Sequence, residues 1–221
     1  LGSVTIMSGQ TVSHMQQYRV GRIPVLAALV VLLTLGGCAS TPEPAGLEIV
    51  DDSWTLRRDA LMQLQNWDLD GRIGITVEHQ AWQASLVWIQ RGENFLLDVA
   101  GPLNQGRLMV SGGPSGVRAE RHDGRVVNAT DVEALLQSEL GWTLPVAGLR
   151  YWVKGVPNPG ESTESIALDE LGRLAELNQG GWRIRYPTYI ESDDVDLPHK
   201  IRLDRGDVSV RMVVDQWAHG V

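Results

Sequence analysis

Residues 81–112 read AWQASLVWIQRGENFLLDVAGPLNQGRLMVSG, and the fold is decided here. Trp82, Ala84, Leu86 and Trp88 lie two apart, so an extended chain turns all four toward one face. Gln83 and Ser85 take the opposite face, which Val87 and Ile89 make less polar. After a turn, Phe95, Leu97 and Val99 alternate around Asp98 in the same way. The chain then turns again through Gly101-Pro102-Leu103-Asn104-Gln105-Gly106. The two glycines tolerate positive φ, and Pro102 presets φ for the first corner. Leu103 therefore falls near the tip, where a turn normally shows a polar residue. Two readings stay open: a leucine folded back on the sheet end, or an apolar finger held out toward a greasy surface.

The pattern of 81–112 repeats outward in both directions. Trp67, Leu69, Ile73, Ile75 and Val77 occupy odd positions, with Asp68, Asp70, Arg72 and Thr76 between them. Val117–Arg121 and Arg125–Asn128 read as two short strands. In the final third, Trp182, Ile184 and Tyr186 alternate with arginines, as do Ile201 and Leu203, then Val208, Val210, Met212 and Val214. Helices interrupt early and midway. Ser53 can cap one whose Leu56, Ala60, Leu61 and Leu64 share a face. Thr130-Asp131-Val132-Glu133 forms a capping box opening a helix with Val132, Leu135, Leu136 and Leu140 inward, stopped by Gly141. Val146, Leu149 and Val153 mark a further piece, ended by Gly155. Such a chain, with about ten or eleven half-apolar strands, describes one strongly curved antiparallel sheet with helices against its concave side.

The chain has 221 residues and a net charge of −8, with eight Trp against a single Phe. Most of the tryptophans are expected in the core. The acidity excludes nucleic acid as a partner, which asks for a basic patch, and it speaks against electrostatic docking on anionic lipid. The N-terminus has a different character. Residues 1–14 lack periodicity, and translation is expected to begin at Met7 or Met15. Arg19 and Arg22 precede the apolar run Ile23–Leu35, which has the length of a secretory h-region rather than a membrane span. The run ends at Leu35-Gly36-Gly37-Cys38, and Cys38 is the sole cysteine. This resembles the lipobox of bacterial lipoproteins. The expected organisation is a signal peptide over 1–37, a lipidated tether over 38–52 and a single domain over 53–221. Ala39, where an Asp would retain the lipoprotein in the inner membrane, implies release to the outer membrane.

Catalytic motifs do not survive inspection. Gly113-Pro114-Ser115-Gly116 lacks the spacing of a nucleophile elbow. His79, His122, His199 and His219 are scattered, without metal-ligand spacing. Asp68-Leu69-Asp70-Gly71 opens like a calcium loop but has no downstream Glu at the right distance. Asp193-Asp194-Val195-Asp196 reads as a solvated loop. The chain is expected to be neither an enzyme nor the holder of a metal or cofactor.

Several segments, in order, are similar to the outer-membrane lipoprotein receptor family LolB. They are the lipobox, Trp67-Asp68-Leu69-Asp70-Gly71-Arg72-Ile73-Gly74, the Pro102-Leu103 loop, Leu144-Pro145-Val146, and Leu149-Arg150-Tyr151-Trp152-Val153-Lys154-Gly155. Gly181-Trp182 with Tyr186 and Tyr189, Leu197-Pro198 and the last strand to Trp217 complete the set. Asn104 stands where the family's loop has glycine. The resemblance implies an incomplete antiparallel β-barrel, mainly β with helices, whose helical lid covers an apolar cavity. It also implies a monomer that takes lipoproteins from a periplasmic LolA-like carrier and inserts their acyl chains into the outer membrane. Cys38 would carry the lipid anchor, and Pro102 and Leu103 would form a membrane finger. Leu86, Trp88, Leu97, Val99, Ile184, Val210 and Met212 are the candidate cavity lining. The alternative is a structural envelope lipoprotein, or a lipid-binding scaffold without transfer activity.

Overall fold

The computed structural model describes residues 52–104, 106–140, 144–191 and 194–219. The signal segment, Cys38, the tether, Gly141 and Asp193 lie outside the described residues, as do the side chains of Asn104 and Leu140. The chain opens with α1 (Asp52–Gln63) and continues through β1 (Asn66–Val77), β2 (Gln80–Arg91) and β3 (Asn94–Ala100). A 3-10 turn at Pro102–Asn104 leads to β4 (Leu108–Gly113), β5 (Gly116–Arg121) and β6 (Val126–Ala129). Helices α2 (Val132–Leu140) and α3 (Val146–Trp152) follow. The chain ends with β7 (Thr163–Leu168), β8 (Leu174–Gln179), β9 (Trp182–Ile190), β10 (Leu197–Arg205) and β11 (Val208–His219). All eleven strands form one antiparallel sheet in the order β6-β5-β4-β3-β2-β1-β11-β10-β9-β8-β7. The sheet stays unclosed, with β6 and β7 at its edges.

Its centre is the pairing of first strand with last. Opposite Asp70 and Gly71 on β1, β11 carries Gln216 and Val214, so Asp215 is an extra, bulged residue. Gly71 is required at that bend: a Cβ there would sit 2.3 Å from the Val213 carbonyl oxygen. The bulge tightens the local twist and helps curl the sheet into a trough. Alternation then delivers the core as expected. Trp67, Leu69, Ile73 and Ile75 of β1 are buried, as are Ile201, Leu203, Val210, Met212 and Val214 across β10 and β11.

Patterning did not locate β7 and β8. Leu174 and Leu177 lie three apart, which suggests a helix, yet both are fully buried on one face. The register explains it: Leu168 pairs with Leu174 and Ala167 with Glu176, so Ala175 bulges and the period of two is broken. In α1 the apolar face is rotated from the expected one. Leu56 is 73% exposed and Ala60 is exposed, whereas Trp54 and Leu61 are buried. The larger indole takes the core position, and Arg57 between them lies over the Tyr189 ring and donates to the Asp196 carbonyl. Lys154, almost fully buried, ends the helix by donating from Nζ to the Leu61 and Leu64 carbonyls at 2.8 and 2.9 Å. Asp196 also pairs with Arg173 at 2.9 Å, so that part of the acidic loop is a partly buried clamp rather than a solvated run.

Candidate functional site

A cavity of about 350 Å³ lies between the inner face of β1–β4 and the helices α2 and α3. Its size is at the lower end of the roughly 300–1,000 Å³ usual for ligand pockets. The strands supply Ile73, Ile75, Ala84, Leu86, Trp88, Leu97, Val99, Leu108, Val110 and Met212. The helical side supplies Leu136, Leu144, Val146 and Leu149. Gln83 and Glu139 are the polar side chains at its wall. Trp88 is fixed in place by a buried amide: its indole N–H donates to Gln90 Oε1 at 3.0 Å, and Gln90 donates in turn to the Gly92 and Asn94 carbonyls. That network satisfies the polar atoms, so an apolar ring face can front the cavity without an orphaned donor.

The lid is tied down by charge as well as packing. Asp131 accepts the Ala134 N–H at 2.6 Å and caps α2, and Glu133 accepts the Ala147 N–H at the start of α3. At the other end of α2, Glu139 receives Arg121 at 2.6 Å and Arg125 at 3.1 Å from the β5–β6 hairpin. The hydrogen bond from Arg121, aided by Arg125, holds the Glu139 carboxyl below its ordinary range. The latch therefore stays charged at neutral pH.

The structure brings five of the candidate lining residues together: Leu86, Trp88, Leu97, Val99 and Met212. Ile184 and Val210 are not among them. Both are fully buried, in the cross-strand row Ile184–Leu203–Val210–Ile75–Trp82. The parity of these two residues is inward, but their part of the trough is filled by side chains. Trp82, at the far end of that row, lines the cavity yet is 42% exposed, which places it at the mouth. The expected helical lid is present, but Leu136, Leu144, Val146 and Leu149 were not among the candidate lining residues. The adjacent Leu135 and Leu136 were a usable signal, since a helix with two neighbouring buried leucines turns more than one core-facing edge inward.

The Gly101–Gly106 loop stands at the same end. Leu103 is 92% exposed and sits at φ 57°, ψ 32°, so its side chain is held away from the sheet. Leu103 itself is thus a left-handed residue of the loop, as is Gly106 at φ 68°. For a leucine this geometry costs about 1 kcal/mol. Beside the loop, on the outer face of the sheet, an open hollow of about 830 Å³ brings Arg72, Gln83, Ser85 and Arg211 next to Pro102 and Leu103.

Among the described residues no His, Cys, Asp or Glu cluster is arranged to hold a metal ion, and no helix is long and apolar enough to cross a membrane. The family model described as outer membrane lipoprotein LolB matches residues 65–217. An outer-membrane lipoprotein LolB of Nitrosococcus oceani is 38% identical over 192 residues, covering 87% of this chain and 96% of that one. The protein of the same name from Alkalilimnicola ehrlichii is 36% identical over 203 residues, covering 90% and 98%. Among solved structures, a LolA superfamily protein from Nitrosomonas europaea superposes with a TM-score of 0.48 at 9% identity, over 77% of this chain and 93% of that one. A family model matched over residues 65–217, and identity that extends over nearly the whole of the LolB relatives, lead to one conclusion: the chain belongs to the LolB family of outer-membrane lipoproteins.

Proposed function

We propose that this chain is an outer-membrane lipoprotein receptor, which accepts acyl chains of lipoproteins from a LolA-like periplasmic carrier and releases them into the outer membrane. The observation that supports it is an apolar cavity under a latched helical lid, at the same end of the sheet as an exposed leucine. Burying acyl chain is worth about 0.8 kcal/mol per methylene. A cavity that covers part of a chain therefore holds it less tightly than a bilayer covering all of it, and transfer runs toward the membrane. Leu86, Trp88, Leu97, Val99 and Met212 line the acyl site, and the packed positions Ile184 and Val210 support the wall. Pro102 and Leu103 form the finger that enters the membrane surface. One leucine contributes roughly 1.5–3 kcal/mol there, enough to bias a contact and too little to anchor. Anchoring falls to acyl chains on Cys38, after removal of the signal peptide 1–37, with 38–52 as tether and 53–221 as the receptor domain. The receptor acts as a monomer facing the periplasm.

Binding of a fluorescent long-chain acyl probe tests the cavity. Ala84→Phe fills it from β2, without introducing a charge. It should weaken probe binding about tenfold or more while the melting temperature holds or rises. Probe affinity no better than that of an unrelated protein, or unchanged by Ala84→Phe, defeats the acyl reading.

A further inference from the structure

We propose that the outer face of the sheet beside the Leu103 loop docks on the phosphate layer of a phospholipid membrane, with Arg202 and Arg211 as the main contacts. The proposal rests on the reading of that loop as a membrane finger, and it names the chemistry met around the finger. The register supplies the first argument. Arg202 of β10 stands directly opposite Arg211 of β11, and Arg185 of β9 stands opposite Arg202. In the adjoining row, Lys200 faces Val213, which faces Arg72. Like charges directly opposite across a sheet are destabilising. Acids answer only part of this row. Arg185 pairs with Asp204 at 2.6 Å, and Arg72 pairs with Asp215 at 2.7 Å. Among the described residues, Lys200, Arg202 and Arg211 are exposed and make no ion pair. An anion from outside the chain is the missing partner.

Position supplies the second argument. Arg72 and Arg211 border the same open hollow as Pro102 and Leu103, so cations and finger share one surface. The row through Arg72 continues by way of Ser85 to Ala100, at the end of β3 just before the loop. Adjacent outward rows are two residues, about 7 Å, apart along a strand. A leucine seated about 5–10 Å into the boundary between headgroups and acyl chains therefore brings these rows to the level of the phosphates. Guanidinium suits them, because its planar fork binds phosphate oxygens in pairs. A nucleic acid offers the same phosphates but no apolar layer for Leu103.

The net charge of −8 does not oppose this. Screening limits each exposed charge to about 8–10 Å at ordinary salt, so the local cluster decides what docks. Net charge carries no information on how residues 72, 200, 202 and 211, far apart in sequence, converge through β1, β10 and β11.

The test uses the mature chain from residue 39, so that neither the apolar run Ile23–Leu35 nor an acyl anchor on Cys38 masks the contact, with vesicles of phosphatidylethanolamine and phosphatidylglycerol in a flotation assay. The double variant Arg202→Gln/Arg211→Gln should bind about 25-fold more weakly at low salt, at roughly fivefold per cation, and the difference should shrink at high salt. Arg58→Gln, on the exposed side of α1, should bind as the parent does. Leu103→Glu should bind poorly at every salt concentration. If the double arginine variant binds like its parent while Leu103→Glu does not, the docking proposal falls and the finger stands. If Leu103→Glu binds like its parent while the arginine variant does not, the finger reading falls and phosphate docking stands. Unchanged vesicle binding with slower handover from the carrier in solution assigns the patch to a protein partner and overturns the proposal.

Discussion

The trough has two halves built from the same alternating strands. Under β8–β10, Leu174, Leu177, Ile184, Ile201 and Leu203 are all buried, in one apolar core with Trp54 and Leu61 of α1. Trp152 of α3 lies 6.4 Å from the Trp182 ring and donates to Gln179 Oε1 at 2.8 Å. Gln179, also fully buried, donates onward to the Asn158 carbonyl and to Thr163. Under β1–β4 the covering helices are α2 and the first turn of α3, nine and seven residues long, and a void remains between them and the strands. The difference lies in what descends from above. A twelve-residue helix carrying a tryptophan fills one half, while leucines and valines on short helices roof the other. Gly148 lets the Trp152 ring lie against α3, since a Cβ there would be 2.8 Å from it. That bulk is thereby drawn toward the packed half. One side is closely packed, and the other keeps a void of about 350 Å³.

The same truncation in each half should break or confirm this contrast most clearly. Ile184→Ala removes fully packed atoms and should cost about 3–4 kcal/mol in urea unfolding. Leu136→Ala removes atoms that already face a void and should cost about half as much. Equal losses would mean that the void is filled in solution. Next in size is Gly71→Ala, in the wall common to both halves. Overpacking against the Val213 carbonyl should cost about 2–3 kcal/mol, with the loss read as a lower urea midpoint.

pH should separate the halves by range. Burial, reinforced by Arg150, lowers the Lys154 amine from 10.5 to about 8. Between those values the unfolded chain holds more protons than the folded one, so stability should rise with pH from about 8 toward 10. Above that, burial has pushed the Tyr186 and Tyr189 hydroxyls up, so the folded chain keeps protons that the unfolded chain sheds, and stability turns down. Lys154→Met should abolish the rise in melting temperature between pH 8 and 9.5. Glu139 in the lid gives a slope of the same sign, but in the acid range. Its lowered carboxyl contributes stability that is present above 4.5 and lost as pH falls through its folded value. Glu139→Gln should show a smaller acid loss of melting temperature than the parent, together with faster proteolysis of α2 at neutral pH.

The smallest expected change in stability belongs to the loop. Leu103→Gly relieves the left-handed strain and should raise stability by up to about 1 kcal/mol, while membrane delivery of lipoprotein falls. A variant that delivers at the parental rate would sink the finger.

Alternation in residues 67–77, 81–99 and 182–214 made the sheet legible, because a strand with one wet face must repeat with period two. It failed at β8, where a bulge shifts the phase by one residue. It failed in α1 for another reason: Leu56 and Trp54 compete for the core and only packing chooses between them. For the site, parity correctly turned Leu86, Trp88, Leu97, Val99 and Met212 inward. Ile184 and Val210 have the same parity, and nothing in their spacing says which half of the trough is filled. The tip of the 101–106 loop was visible as a leucine out of place in a turn, but whether it folds back depends on φ at a single residue.

The sequence by itself determined a single curved antiparallel sheet, the loop that interrupts it and the motifs that mark the family, since each is written in local spacing and residue type. The tertiary structure alone decided where the trough is empty and which cations share a face with the Leu103 loop. Those depend on how helices of unequal length settle across strands that are far apart in the chain, and on the register that sets Arg202 opposite Arg211.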